Sequence, residues 1–124
     1  MKTSYFARAG SFPGAIAISQ GVPPGYYGHR YLALAPSWDL LEWYKQELKQ
    51  GASLTLVEES YTKRYQDEVL RVLYAPLVAE ELLKLAAPHE PILLCWEKPG
   101  KFCHRHLVAA WLGISVTEVG APND

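Results

Sequence analysis

The chain has 124 residues, 49% of them hydrophobic and 20% charged, so it is long enough to bury a core without disulfide or metal support. Its 12 lysines and arginines against 13 aspartates and glutamates give a net charge of -1, which argues against broad electrostatic binding to nucleic acid. No apolar run approaches the roughly 20 residues of a membrane span, and residues 1–10 lack an apolar signal core. We therefore predict one cytoplasmic domain over residues 1–124, with no membrane association.

Three short apolar segments in the first third of the chain predict strands. They span residues 4–8, 15–19 and 31–35, and a glycine or proline lies within two residues after each of them. Loop 21–30, GVPPGYYGHR, carries Tyr26 and Arg30 among glycines and prolines. Large functional side chains on a loop are suited to form the wall of a ligand site, so we predict both as ligand contacts. The alternative is that the tyrosines only cover the edge of the core.

Helix signals dominate the middle of the chain. Ser37 is the N-cap of a predicted helix that runs to about residue 50 and stops at Gly51. Residues 53–57 alternate like a strand, and Ser60 caps a second predicted helix. Pro76 suits the first turn of a third helix, which ends near residue 87.

The last third of the chain predicts a strand, a helix and a strand. The continuous apolar run 92–96 is typical of a central strand that is covered on both faces. Pro99 and Gly100 predict a turn, residues 103–112 a helix that Gly113 ends, residues 114–119 a strand, and residues 120–124 a short tail. Strands that alternate with helices predict an α/β fold, a three-layer domain whose mostly parallel central sheet is flanked by helices.

The chemically distinctive residues lie at the junction between the central strand and the following helix. Residues 98–106 hold three fixed cations, two histidines and no acid. If Cys103 begins a helix, the unpaired N–H groups of its first turn and the positive end of the helix dipole favour an anion there. That anion is either the Cys103 thiolate, which nearby cations make more reactive, or a bound phosphate or carboxylate group.

These residue types predict two sets of roles. The catalytic set is Glu97 or His104 as proton carrier and Cys103 as nucleophile. The ligand-binding set, which includes the two residues of the early loop, is Arg105, Lys98, Lys101, Cys95, Tyr26 and Arg30. The predicted ligand is a phosphorylated small molecule, a nucleotide or a nucleic-acid end, with hydrolysis as the candidate reaction. No cofactor and no oligomeric state are predicted.

Three other interpretations of the junction remain open. Cys95, Glu97, Cys103 and His104 include metal donors, but seven residues separate the cysteines where structural zinc sites usually have two to four, so we predict no metal. A redox pair of cysteines needs Cα atoms within about 7 Å, whereas free thiols are the simplest expectation in a reducing compartment. In a non-enzymatic interaction domain the cluster is structural, with Glu97 and Arg105 paired between strand and helix.

The pattern Leu93-Leu94-Cys95-x-Glu97, a short polar loop, and then Cys103-His104-Arg105 with an apolar helix resembles the family called domain of unknown function 488. The resemblance is strongest over residues 92–119. Earlier in the chain, residues 23–25 and the helix with Tyr61 and Tyr65 are similar to the proline-bearing loop and tyrosine-containing helix of the family.

Members of this family commonly have Asp-x-Arg at the end of an early strand, where this chain has Ser19-Gln20-Gly21. The resemblance implies a small intracellular α/β domain and implies no particular reaction. It also implies that one pocket gathers five residues, namely Cys95, Glu97, Cys103, His104 and Arg105.

Overall fold

The computed structural model describes residues 1–98 and 101–120. Within them, the strands are β1 (Lys2–Tyr5), β2 (Ala15–Ala17), β3 (His29–Arg30), β4 (Ile92–Cys95) and β5 (Thr117–Glu118). The helices are α1 (Phe6–Ala9), α2 (Trp38–Lys49), α3 (Leu54–Glu68), α4 (Ala75–Ala86) and α5 (His104–Leu112), with 3-10 turns at Leu32–Leu34 and Leu70–Val72. All strand pairs are parallel, in the order β3-β2-β4-β1-β5. The predicted α/β fold is confirmed.

The sheet is covered on both faces, and β4 lies at its centre. Ile16 and Leu93 pack with the buried side chains of α3, α4 and α5 on one face. On the other face, Leu94 joins Phe6 of α1 in a second, smaller cluster. All four residues of β4 are buried, as its continuous apolar sequence predicted.

Three of the predicted helix signals act where their chemistry requires, whereas the predicted cap Ser60 is wrong because it lies inside α3, which begins after Ser53. The Ser37 side chain accepts a hydrogen bond from the Leu40 N–H at 3.1 Å, which caps α2. Gly51, just beyond that helix, has φ +84°, a backbone conformation that glycine adopts without strain. Pro76 lies in the first turn of α4, where its missing N–H costs no hydrogen bond.

Two predicted strands are wrong. Residues 53–57 lie at the start of α3, because Val57, Tyr61 and Tyr65 form one buried helical stripe. Residues 31–35 contain a 3-10 turn, Leu32–Leu34, that brings Leu34 into the core. The strand in this part of the chain is β3, which ends just before residue 31.

Other boundaries shift. The strand predicted over 4–8 lies at Lys2–Tyr5 and passes directly into α1, and the strand predicted over 114–119 shortens to Thr117–Glu118. The turn predicted at Pro99 and Gly100 and residues 121–124 of the predicted tail lie outside the described residues.

The helix that carries the Cys-His-Arg residues ends at Gly113, which has φ +65°. Replacing Gly113 with alanine is expected to lower the free energy of unfolding by about 1 kcal/mol, since an L-residue is disfavoured in the left-handed region. Gly21→Ala is the matched control: an added Cβ meets nothing within 4 Å at either site, and Gly21 has no positive φ. Urea unfolding compares the two variants, and equal effects would contradict a conformational cost at Gly113.

Among the described residues, none of the helices combines the length and apolar character that crossing a bilayer needs. The cytoplasmic location and the single-domain organisation stay predictions.

Candidate functional site

A cavity of about 360 Å³ opens at the carboxyl end of the parallel sheet. Segments that follow β2 and β4 form its floor, the start of α5 closes one side, and α2 contributes a further wall. Open α/β sheets usually bind ligands at this edge. The lining comprises residues 19–21, 95–97 and 102–104, together with Pro36, Trp38, Leu41, Tyr44, Lys45 and Tyr61.

A disulfide joins Cys95, the last residue of β4, to Cys103, the residue before α5. Both cysteines are buried, and their Cα atoms lie 7.3 Å apart. The expectation of free thiols is therefore wrong for this structure. While the bond is intact, Cys103 has no thiolate to offer as a nucleophile.

His104 is buried beside this disulfide, with its two ring nitrogens in different surroundings. Nε2 lies 2.6 Å from the Ile18 carbonyl oxygen, and Nδ1 lies 3.8 Å from the Cys103 Sγ. Burial lowers the pKa of His104 to about 4; the bond to Ile18 opposes this shift, and the charges of Arg105 and His106 add to it. At neutral pH the ring is uncharged, Nε2–H donates to Ile18, and Nδ1 keeps its lone pair.

Arg105 is fully buried and is not among the residues that line the cavity. Its Nη2 and Nε donate to Glu118 Oε1 at 2.6 and 3.1 Å, and its Nη1 donates to Cys95 Sγ at 3.1 Å. The alternative in which Arg105 pairs with Glu97 is wrong, because Glu118 of β5 supplies the acid. Burial raises the pKa of Glu118, but hydrogen bonds from Arg105 and Thr3 outweigh it and hold that pKa below its usual value.

Four of the five residues expected at one pocket line the cavity: Cys95, Glu97, Cys103 and His104. Glu97 is exposed at the rim. The helix turns by about 100° per residue, so with His104 at the cavity its neighbour Arg105 faces the sheet. The predicted role of Arg105 as an anion ligand stays a prediction.

The other predicted contacts lie outside the lining. Lys98 and Lys101 are exposed in the loop before α5, joined by a 3.1 Å backbone hydrogen bond. The Tyr26 ring packs on Phe6, and its hydroxyl donates to the His29 carbonyl at 2.6 Å. Arg30 is exposed and donates to the carbonyl oxygen of Gln20, so it contacts a lining residue from outside.

Sequence reasoning missed the aromatic wall of the cavity. The rings of Tyr44 and Phe102 stack with centroids 6.1 Å apart, and each meets Tyr61 edge-on. At the mouth, Trp38 and Trp96 are 63% and 52% exposed. A signal for the α2 wall was present, since Trp38, Leu41 and Lys45 recur at the spacing of one helix face.

A family model described as the active DUF488-N3 subclade matches residues 14–115, which is most of the chain. The chain belongs to the DUF488 family. Comparison with curated proteins found no match, and comparison with solved structures found none either. The span matched in this DUF488 protein contains every residue that lines the cavity.

Proposed function

We propose that this DUF488 protein binds in its cavity a phosphorylated ligand that also carries a flat aromatic ring, either a nucleotide or the end of a nucleic acid. The observation that carries this proposal is the exposure of two tryptophans, Trp38 and Trp96, at the mouth of an aromatic cavity. Large aromatic surfaces left open beside a concave site are typical of places where a planar ligand stacks.

The ring of the ligand is proposed to lie against the aromatic wall. Trp96 is held in place although half of it is exposed, because its Nε1–H donates to the Gly21 carbonyl at 3.2 Å and its ring meets Phe6 edge-on. Tyr44, Tyr61 and Phe102 fix one another in the same way. A wall whose rings are already ordered loses little entropy when a base stacks on it.

The anion of the ligand is proposed to lie between Lys45 and the start of α5. Lys45 is the single lysine or arginine among the described lining residues. Cys103 occupies the N-cap of the nine-residue helix α5 and makes no side-chain cap hydrogen bond, so its own side chain leaves the first-turn N–H groups to another acceptor. For a longer nucleic acid, the exposed Lys98 and Lys101 would contact the next phosphates.

If the bound ligand is hydrolysed, Glu97 is our proposed proton acceptor. It is the one carboxylate among the described lining residues, and its exposure at the rim lets water reach it. The other two predicted catalytic residues are engaged elsewhere, Cys103 in the disulfide and His104 Nε2 at Ile18.

We expect Trp38→Ala to weaken nucleotide binding by about 5- to 150-fold, since stacking on one aromatic ring contributes about 1–3 kcal/mol. Isothermal titration calorimetry with AMP, adenosine and inorganic phosphate separates the ring from the anion. Lys45→Ala should weaken AMP and phosphate but leave adenosine unchanged.

Two controls match these variants. Tyr27→Ala removes an aromatic side chain that is exposed outside the cavity, and Lys49→Ala removes a cation one turn further along α2. Neither should change the affinity for AMP. The proposal fails if AMP does not saturate the protein, or if Trp38→Ala binds AMP as the unmodified protein does.

The non-enzymatic alternative rests on Arg105 and Glu118, whose ion pair ties α5 to β5 away from the cavity. In that function the cluster only stabilises the fold, and the exposed Tyr27 in the loop before β3 contacts a partner protein. This alternative would be favoured if the protein binds no nucleotide and if replacing Arg105 greatly lowers its stability.

A further inference from the structure

Three metal-binding atoms meet at the floor of the cavity. The Sγ atoms of Cys95 and Cys103 and a ring nitrogen of His104 all lie within 4.8 Å of one another, and all three residues are buried. Thiolate and imidazole are the ligands that zinc-class ions prefer, and two cysteines with one histidine form a known type of open zinc site. Glu97, which the sequence also offered as a donor, is not among the three.

The histidine already has the orientation that a metal ligand needs. Because Nε2–H of His104 donates to the Ile18 carbonyl at 2.6 Å, the lone pair is on Nδ1, the nitrogen beside Cys103. Metal-binding histidines almost always donate their other N–H to a carbonyl or carboxylate, which fixes the tautomer and the ring plane. Tyr65 packs edge-on against the same ring and further restricts it.

The charges around the site balance if the ion is divalent. Arg105 donates to Cys95 Sγ at 3.1 Å, and Glu118 neutralises Arg105 through a 2.6 Å contact. Two thiolates would then be matched by the two positive charges of the ion. An N–H donor on a metal-bound sulfur is the kind of outer contact that orients and tunes a site.

We propose that the reduced protein binds one zinc-class divalent ion through Cys95, Cys103 and His104, with the fourth ligand position open to the cavity. The disulfide excludes the ion, since only thiolate sulfurs are ligands. Reduction adds two electrons and two protons to the disulfide, and the ion then displaces both protons to solvent. The sulfurs must move to about 3.7 Å apart, the spacing that tetrahedral zinc requires.

A metal at these three residues differs from the sequence prediction of no metal. That prediction rested on the seven residues between the cysteines, whereas here a strand end and a helix start bring the donors together. It does not depend on the proposed nucleotide, because the ion binds to the protein alone.

The test uses Co²⁺ as a spectroscopic substitute for zinc. A phosphine reduces the disulfide, takes the oxygen of one water molecule to become its oxide, and leaves both cysteines as thiols. The reduced full chain should bind one Co²⁺ with tetrahedral d–d bands and a thiolate-to-cobalt charge-transfer band, and Zn²⁺ should displace it. The oxidised chain has the same sequence and serves as the control. It should show neither band.

Substitutions then identify the ligands. His104→Gln should shift the d–d bands and weaken Co²⁺ binding by at least about tenfold, whereas His89→Gln, exposed before β4, should change nothing. Cys95→Ser should remove about half of the charge-transfer intensity. Circular dichroism checks the fold of each variant. If a variant does not fold, the comparison between the oxidised and the reduced unmodified chain still tests whether the metal binds. Weak octahedral bands without charge transfer, or an unchanged spectrum in a folded His104→Gln, would overturn the proposal.

Discussion

Replacing Arg105 with methionine is expected to lower the free energy of unfolding by about 3 kcal/mol. The guanidinium is fully buried, and methionine cannot donate the hydrogen bonds that it makes to Glu118 and Cys95. Removing one partner of a buried ion pair costs about 3–5 kcal/mol because the other charge stays behind. We expect the lower end of that range, since the Glu118 side chain is 22% exposed and water partly solvates it.

Urea unfolding measures this loss, and Arg71→Met is the matched control. Arg71 pairs with Asp67 at 4.0 Å, but the two side chains are 79% and 53% exposed, so the control should change stability by no more than about 0.5 kcal/mol. A loss below about 1 kcal/mol in Arg105→Met would show that the buried pair does not tie α5 to the sheet.

Acidification is expected to destabilise the oxidised, metal-free protein through His104, by about 2–3 kcal/mol between pH 7.5 and pH 4.5. Burial lowers the pKa of His104 to about 4 in the folded chain, against about 6.5 when unfolded. Between these values the unfolded chain binds a proton that the folded chain does not. Stability therefore rises with pH across this window and is lost as the pH falls through it.

Urea unfolding at several pH values, in the presence of a chelator, measures this slope. His104→Gln should remove most of it, and His89→Gln, an exposed histidine, should keep it. Glu118 acts at lower pH: its pKa is held below the usual value, so its contribution is present above about pH 4.3 and is lost below. A His104→Gln variant with the slope of the unmodified protein would contradict a neutral buried imidazole.

The fold was predictable where local chemistry and the burial pattern agree. Ser37 and Gly51 bound α2 as their capping chemistry predicts, and the apolar run of β4 is the central strand. Residues 53–57 were misassigned because Leu54 and Leu56 alternate with polar residues, yet both side chains are exposed. The stripe that decides the structure, Val57 with Tyr61 and Tyr65, becomes visible only when the window extends further along the chain.

The candidate site was predictable where the chain itself brings residues together. One short loop is flanked by Cys95, Glu97, Cys103 and His104, so the predicted strand–loop–helix order places them together at one edge of the sheet. The aromatic wall comes from α2 and α3, whose position depends on tertiary packing that no local pattern specifies. The partner of Arg105 was equally unpredictable, because it forms its ion pair with Glu118, 13 residues away in sequence and on another element.

The strand order has a consequence for how the chain acquires its structure. β4 lies between β1 and β2, and Lys2 pairs with Ile92, 90 residues later in the sequence. Contacts this distant in sequence close large loops and slow folding. During synthesis, β2 can pair with β3 at once, but β1 and β2 have no pairing to each other and join one sheet only after residues 92–95 emerge. The cavity at the sheet edge, with its cysteines and His104, is therefore assembled only after β4 and the start of α5 have been synthesised.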